Sequence, residues 1–116
     1  MNHDLEARAG LTLRHHGVPV IGEREARLLE AVDRVQSIKE AAREAGISYR
    51  TAWSAIQMME RALGRPVVAS RAGGPGGGGT TLTDECRGLL DLYRDLQRRL
   101  DAAVSDAWLA SQAATA

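Results

Sequence analysis

The sequence predicts a mostly α-helical domain: three short helices around a shared core, then a β-hairpin, then one long terminal helix. Three observations carry that prediction. Residues 37–64, SIKEAAREAGISYRTAWSAIQMMERALG, read as two helices joined by a tight turn. Two short runs rich in β-branched residues, VVAS at 67–70 and TTLT at 80–83, flank the glycine-rich stretch RAGGPGGGG. From Thr83 onward, Cys86, Leu89, Tyr93, Leu96, Leu100, Ala103, Ala107 and Ala110 alternate at steps of three and four, a heptad seam of about three repeats.

In chain order, residues 1–10 carry no pattern and are expected to be loose. LTLRH at 11–15 alternates apolar and polar residues and predicts one short strand, with a second apolar pair, Val20-Ile21, after HGVP. From Glu23 the period turns helical. Ala26, Leu29 and Val32 recur every third residue, Leu28 and Val35 flank them, and Glu23 and Glu25 sit in the first turn where the helix dipole favours acids. This helix should end near Gln36 and lay its apolar face across the following pair, because two helices alone bury too little surface.

Ser37 can cap the next helix, with Glu40 at capping-box spacing. Gly46 can take positive φ where the run IKEAAREA must stop, and Ser48 is a second cap candidate, so about three residues separate the helices. In the second of the pair, Ala52, Ile56, Met59 and Leu63 form an inward stripe, with Ala55 beside it. Ala42 also falls inward and lets the two helices cross closely. The outward positions are Tyr49, Arg50, Thr51, Ser54, Gln57, Met58 and Arg61. Arg50 suits bidentate contact with guanine and Gln57 with adenine, while Ser48, Thr51 and Ser54 suit phosphates or bases. The plainer reading is a helical hairpin whose polar face is merely wet.

After Gly64, Pro66 stops the helix and the two β-prone runs predict a hairpin directly following it, the arrangement of a winged helix-turn-helix. Glycines at the tip let backbone N–H groups approach phosphate, and Arg71 at its base adds charge. The same stretch reads more simply as a flexible connection. It is not a nucleotide-binding loop, which needs a lysine that GGGGTTLT lacks. Thr83 caps the terminal helix, with Asp84 and Glu85 in its first turn. A helix of about 25 residues spans about 37 Å, longer than the domain before it. Its far end needs cover, and an identical helix from a second copy is the economical answer; a monomer with the helix folded along its own domain is the alternative. The expected division is therefore a loose 1–10, a domain at 11–83, a dimerisation helix at 84–110 and a frayed tail at 111–116.

The chain has 116 residues, enough for one domain with an appended helix. Its 15 basic and 15 acidic residues give no net charge, but they are unevenly placed. Residues 43–72 hold five arginines against two glutamates, whereas 84–106 hold six acids against four arginines, so one end should face phosphate. The single cysteine, Cys86, cannot form an internal disulfide and has no CxxC partner, which suggests a reducing cytoplasm and a small buried side chain. His3, His15 and His16 lack partners at ligand spacing, so no metal or other cofactor is expected. No membrane span or secretory leader is expected. Nothing in the sequence assembles a nucleophile, base and orienter, so it is not read as an enzyme.

GISYRTAWSAI, followed by an arginine and GGPGGGGTTLT, closely resembles the DNA-binding domain of the molybdate-responsive transcriptional regulator (ModE) family, within the LysR-like winged helix-turn-helix group. The resemblance covers roughly residues 11–105. It implies that the second helix of the motif enters the major groove, that the wing touches the backbone or minor groove, and that the terminal helix pairs two subunits over a palindromic site. By position, Ser48, Tyr49, Arg50, Thr51, Trp53 and Ser54 fall where the family reads double-stranded DNA, and Arg71 with the glycines falls on the wing. The full expected DNA-binding set is Ser37, Lys39, Ser48, Tyr49, Arg50, Thr51, Trp53, Ser54, Gln57, Arg71, Gly73, Gly74, Gly76, Gly77 and Thr80. The expected dimer seam is Leu89, Tyr93, Leu96, Leu100, Val104 and Trp108. Two features depart from the family. Its full-length members carry oxyanion-binding modules after the long helix, where this sequence ends, and their wings commonly hold a lysine where Pro75 stands. The function expected is a homodimeric, sequence-specific transcriptional regulator connected with molybdenum or oxyanion metabolism. The competing readings are a winged protein-interaction module and a small oxyanion sensor built on the glycine loop.

Overall fold

The computed structural model describes residues 4–73 and 78–115. A short antiparallel hairpin, β1 (Leu13–His15) and β2 (Val18–Ile21), opens the domain. His16 and Gly17 turn it with φ of 50° and 80°. The single strand expected at 11–15 is thus shorter and has a partner, because Val18-Pro19 continues as an edge strand, where proline is tolerated.

Helices α1 (Glu23–Val35), α2 (Ile38–Ala45) and α3 (Tyr49–Leu63) follow. Each stops at a left-handed residue: Gln36, Gly46 and Gly64. Ser37 accepts from the Glu40 N–H at 3.1 Å to start α2, and Ser48 accepts from the Thr51 N–H at 3.0 Å to start α3. Only the hydroxyl half of the expected capping box is drawn on at Ser37, since the Glu40 carboxylate lies 3.7 Å from Arg43. The carboxylate half occurs instead at α1, where Glu25 accepts from the Gly22 N–H at 2.8 Å.

The core is where the helical periods aim. Ala26, Leu29 and Val32 of α1, Ala41 and Ala42 of α2, and Ala52, Ile56 and Met59 of α3 are buried together with Ile21 and Val67. Alanines at 41, 42 and 52 remove bulk at the α2–α3 crossing, so the two backbones pack closely.

The second hairpin pairs β3 (Val68–Arg71) with β4 (Gly79–Leu82), from Val68↔Leu82 to Arg71↔Gly79. Each strand lies one residue from its expected range. The hairpin is bonded to α3 at its root, where Glu60 accepts from the Val67 N–H at 3.0 Å, and Val67 O accepts from the Thr83 N–H at 3.0 Å.

Thr83 caps α4 (Asp84–Thr115) through the Cys86 N–H. At 1.5 Å per residue α4 is about 48 Å long, and it continues through the stretch expected to fray, because alanine is the best helix former. Its first half belongs to the domain. Cys86, Leu90 and Tyr93 are buried in the core, and the Tyr93 hydroxyl donates to the Leu11 carbonyl at 3.1 Å. Arg87 reaches Asp33 at 3.0 Å, and Arg94 forks onto Glu30 and Glu23 of α1. Among the described residues no helix is long and apolar enough to cross a membrane.

Candidate nucleic-acid interface

The helical repeat that buries Ala52, Ile56 and Met59 turns Arg50, Ser54, Gln57 and Arg61 to the opposite side of α3, all exposed. Tyr49 and Met58 flank this row at 52% and 66% exposure. No acidic residue occurs between positions 45 and 59, so the face carries no carboxylate of its own until Glu60, which points back to the Val67 N–H.

The distribution of ion pairs sharpens the contrast. Arg27, Arg34, Arg43, Arg65, Arg87, Arg94, Arg98 and Arg99 each face a carboxylate within 4 Å. Among the described residues, Arg50 and Arg61 on the outer row and Lys39 in the first turn of α2 have no such partner. These three positive charges are therefore available to an external anion, whereas most others are already compensated inside the chain.

The remaining expected contacts fall into groups. Thr51 is exposed, but its hydroxyl accepts from Ser48 at 2.9 Å, so the two side chains are held in the cap rather than free. Ser37 is half-buried and serves first as the α2 cap. Trp53 is half-buried against the core, and its ring meets Tyr49 edge-on at 6.3 Å. It braces Tyr49 more than it presents itself. On the wing, Arg71 and Gly73 are exposed and Thr80 is half-buried. Gly74, Gly76 and Gly77 lie outside the described residues. Gln36, which had no assigned role beyond ending α1, accepts from Arg71 through its side chain and from the Thr80 N–H through its backbone.

The expected dimer seam splits in two. Tyr93 is fully buried in its own domain and so is closed to a second copy, while Leu89 is half-buried and packs against the same core. A three-four repeat fixes which residues share a face, but its first turns are here claimed by α1 and the segment around Leu11. Leu96, Leu100, Val104 and Trp108 lie farther along and are half-buried. Val104 and Trp108 border an open groove of about 840 Å³ between α4 and residues 6–12, and Leu92 and Leu109 are 48% and 63% exposed. Residues 4–10 have no regular structure, though the Ala9 carbonyl lies 3.5 Å from Gln97 Nε2. Among the described residues no group of three His, Cys, Asp or Glu could hold a metal ion. Burial pushes the Cys86 thiol up to about 11.

Three crossed helices with a hairpin hydrogen-bonded to the last of them, and an uncompensated basic row on that helix, define a winged helix-turn-helix domain. The description "Bacterial regulatory helix-turn-helix protein, lysR family" matches residues 24–87, and the chain belongs to that family, one of regulatory proteins rather than enzymes. Its curated relatives include the molybdenum transport protein ModE of Azotobacter vinelandii, 40% identical over 84 residues, and the molybdenum-pterin-binding protein MopB of Rhodobacter capsulatus, 43% identical over 84 residues. The DNA-binding transcriptional dual regulator ModE of Escherichia coli K12 is 36% identical over 89 residues. These alignments take in 72%, 72% and 77% of this chain but 31%, 31% and 34% of the relatives, so the chain spans about a third of their length. The match is to the DNA-binding part of ModE-like regulators. The fold also resembles Vibrio fischeri DarR, solved in complex with DNA, with a TM-score of 0.60 at 16% identity over 79% of this chain and 30% of DarR.

Proposed function

We propose that this chain is a sequence-specific, cytoplasmic DNA-binding regulator that acts as a homodimer on a pseudo-palindromic site, with genes of molybdenum or oxyanion metabolism among its targets. The observation that carries the reading is the outer row of α3: Arg50, Ser54, Gln57 and Arg61 stand exposed, with two arginines lacking a carboxylate. On α4, by contrast, Arg98 and Arg99 both pair with Asp95.

In this reading α3 enters the major groove, with Arg50 near its N-terminal end reaching base edges and Lys39 and the wing contacting phosphates. Two copies joined along Leu96, Leu100, Val104 and Trp108 present two such helices. Half-sites should then lie about one helical turn, 10 to 10.5 base pairs, apart. The molybdenum link rests on the names of the relatives.

The test is selection of bound fragments from the source genome, followed by titration of the recovered site. Arg50→Ala should lose about 1 to 3 kcal/mol at that site, and Arg71→Ala should weaken all sequences alike and lower the salt slope by about one. An Arg50→Ala titration that superimposes on wild type would show that α3 does not read the groove.

A further inference from the structure

We propose that Gln36 is a positioning residue that aims the wing's Arg71 at the DNA backbone; the inference rests on the DNA-binding reading above. Gln36 stands at the corner between α1 and the Ser37 cap of α2, in the left-handed region at φ 57° and ψ 35°. Such a backbone is uncommon for a residue with a side chain, and is kept where the surroundings over-determine it. Here they do. The Gln36 N–H donates to the Val32 carbonyl at 2.8 Å and closes α1. The turn swings its own carbonyl outward, where it accepts from the Thr80 N–H of β4 at 3.0 Å. Its side-chain oxygen accepts from Arg71 Nη1 on β3. One residue therefore grips both strands of the wing at its last two rungs, through Thr80 of Ser70↔Thr80 and Arg71 of Arg71↔Gly79.

The glycine at 79 follows from this grip. A Cβ there would sit 2.9 Å from the Gln36 carbonyl oxygen and 3.1 Å from Arg71 Nη2, so any side chain would push the strand off the corner. Gly78 is confined similarly, with its Cβ position 2.8 Å from the Arg71 carbonyl oxygen. These two glycines serve close packing at the tip end of the paired strands as well as any approach to phosphate.

The chemistry of position 36 suits aiming rather than neutralising. A guanidinium has five N–H donors, and an amide oxygen engages one while leaving the full positive charge. Most other arginines here face a carboxylate; Arg71 faces a neutral amide. Holding a long, flexible side chain ready for a phosphate lowers the ordering cost at binding without spending the charge that attracts it.

The test compares wild type, Gln36→Asn, Gln36→Glu, Arg71→Ala and the Gln36→Asn/Arg71→Ala double variant. Each is titrated by fluorescence anisotropy with a short labelled duplex of mixed sequence across a salt series, alongside thermal unfolding. Asparagine tolerates the left-handed backbone but is one methylene too short, so Gln36→Asn should weaken binding about two- to tenfold, the range of one hydrogen bond. Gln36→Glu should unfold no earlier than wild type yet bind more weakly, with a log–log salt slope lower by up to about 0.9, because it compensates one phosphate-facing charge. A purely structural role would move stability and affinity together. In the Arg71→Ala background, Gln36→Asn should have no further effect. A full additional loss there, or wild-type affinity for Gln36→Asn, would overturn the assignment while leaving the DNA-binding reading intact. If wild type failed to bind the duplex even at low salt, both would fall.

Discussion

Replacing Arg94 by methionine removes the guanidinium that ties α4 to α1 while keeping an unbranched side chain of similar reach. Arg94 Nε donates to Glu30 Oε2 at 3.0 Å, its Nη2 completes the fork on Glu30, and Nη1 donates to Glu23 Oε2 at 3.1 Å. The arginine side chain is 25% exposed and the two carboxylates 46% and 40%, so this network lies between a surface pair and a buried one. Surface pairs contribute about 0 to 1 kcal/mol and breaking a buried pair costs about 3 to 5. The intermediate exposure places Arg94→Met at about 1 to 2 kcal/mol, or roughly 4 to 10 °C in melting temperature for a domain of this size. Thermal unfolding followed by circular dichroism measures it. The pH dependence provides a second reading. Burial alone would raise the Glu23 carboxyl, but hydrogen bonds from Arg27 and Arg94 outweigh it and hold it below its ordinary value. A carboxyl depressed in the folded state stabilises the fold above its unfolded value of about 4.3 and loses that contribution as the pH falls through the folded value. The acid-side loss of stability should therefore be shallower in Arg94→Met than in wild type. In the dimer proposed above the functional consequence would be geometric: by tying α4 to α1 through Glu30 and Glu23, Arg94 would hold the angle at which α4 leaves the domain, and with it the separation of the two copies of α3. A variant that melts within about 1 °C of wild type and keeps its acid slope would refute the anchoring role.

Three further outcomes follow from packing. Ile56→Ala, at a fully buried position on the inner stripe of α3, should cost about 2 to 5 kcal/mol in urea unfolding; a loss below about 1 kcal/mol would contradict the three-helix core. Leu100→Asp should weaken self-association by more than about tenfold in sedimentation equilibrium while leaving the melting of the winged domain nearly unchanged, because an unpaired carboxylate is costly only if a second copy covers it. Unchanged association would remove the α4 seam from the proposal. Cys86, 2% exposed and with its thiol pushed up to about 11, should react with iodoacetamide at pH 8 at least about a hundredfold more slowly in the native protein than in denaturant; comparable rates would mean that the packing of α4 on the core is loose.

The parts of this fold legible in the sequence are those specified by neighbours in the chain. Ser37, Gly46 and Ser48 mark the ends of α2 and α3 because caps and left-handed turns are local chemistry, and the stripe Ala52, Ile56, Met59 follows from the helical period alone. The outer row of α3 is legible for the same reason. What escapes depends on distant partners. The β1–β2 hairpin is hidden because its turn uses a histidine at positive φ and its second strand contains a proline, which reads as a breaker. Tyr93 sits on the heptad seam in sequence, yet the seam's period is silent on whether its own domain or a second copy covers a given turn. Gln36 has no local signature at all: a polar residue before a helix cap becomes informative only when Thr80 and Arg71 arrive from the wing. Trp53 shows the same limit, since its packing against the core depends on tertiary neighbours rather than on its place beside the outer row.

The most direct test of the central claim is methylation interference on the selected DNA site. Methylation at guanine N7 blocks the major-groove acceptor edge that an arginine on α3 would use. The account predicts two clusters of interfering guanines about one helical turn apart, with Arg50→Ala losing sensitivity at one guanine in each cluster. Equal binding to methylated and unmethylated fragments would contradict it.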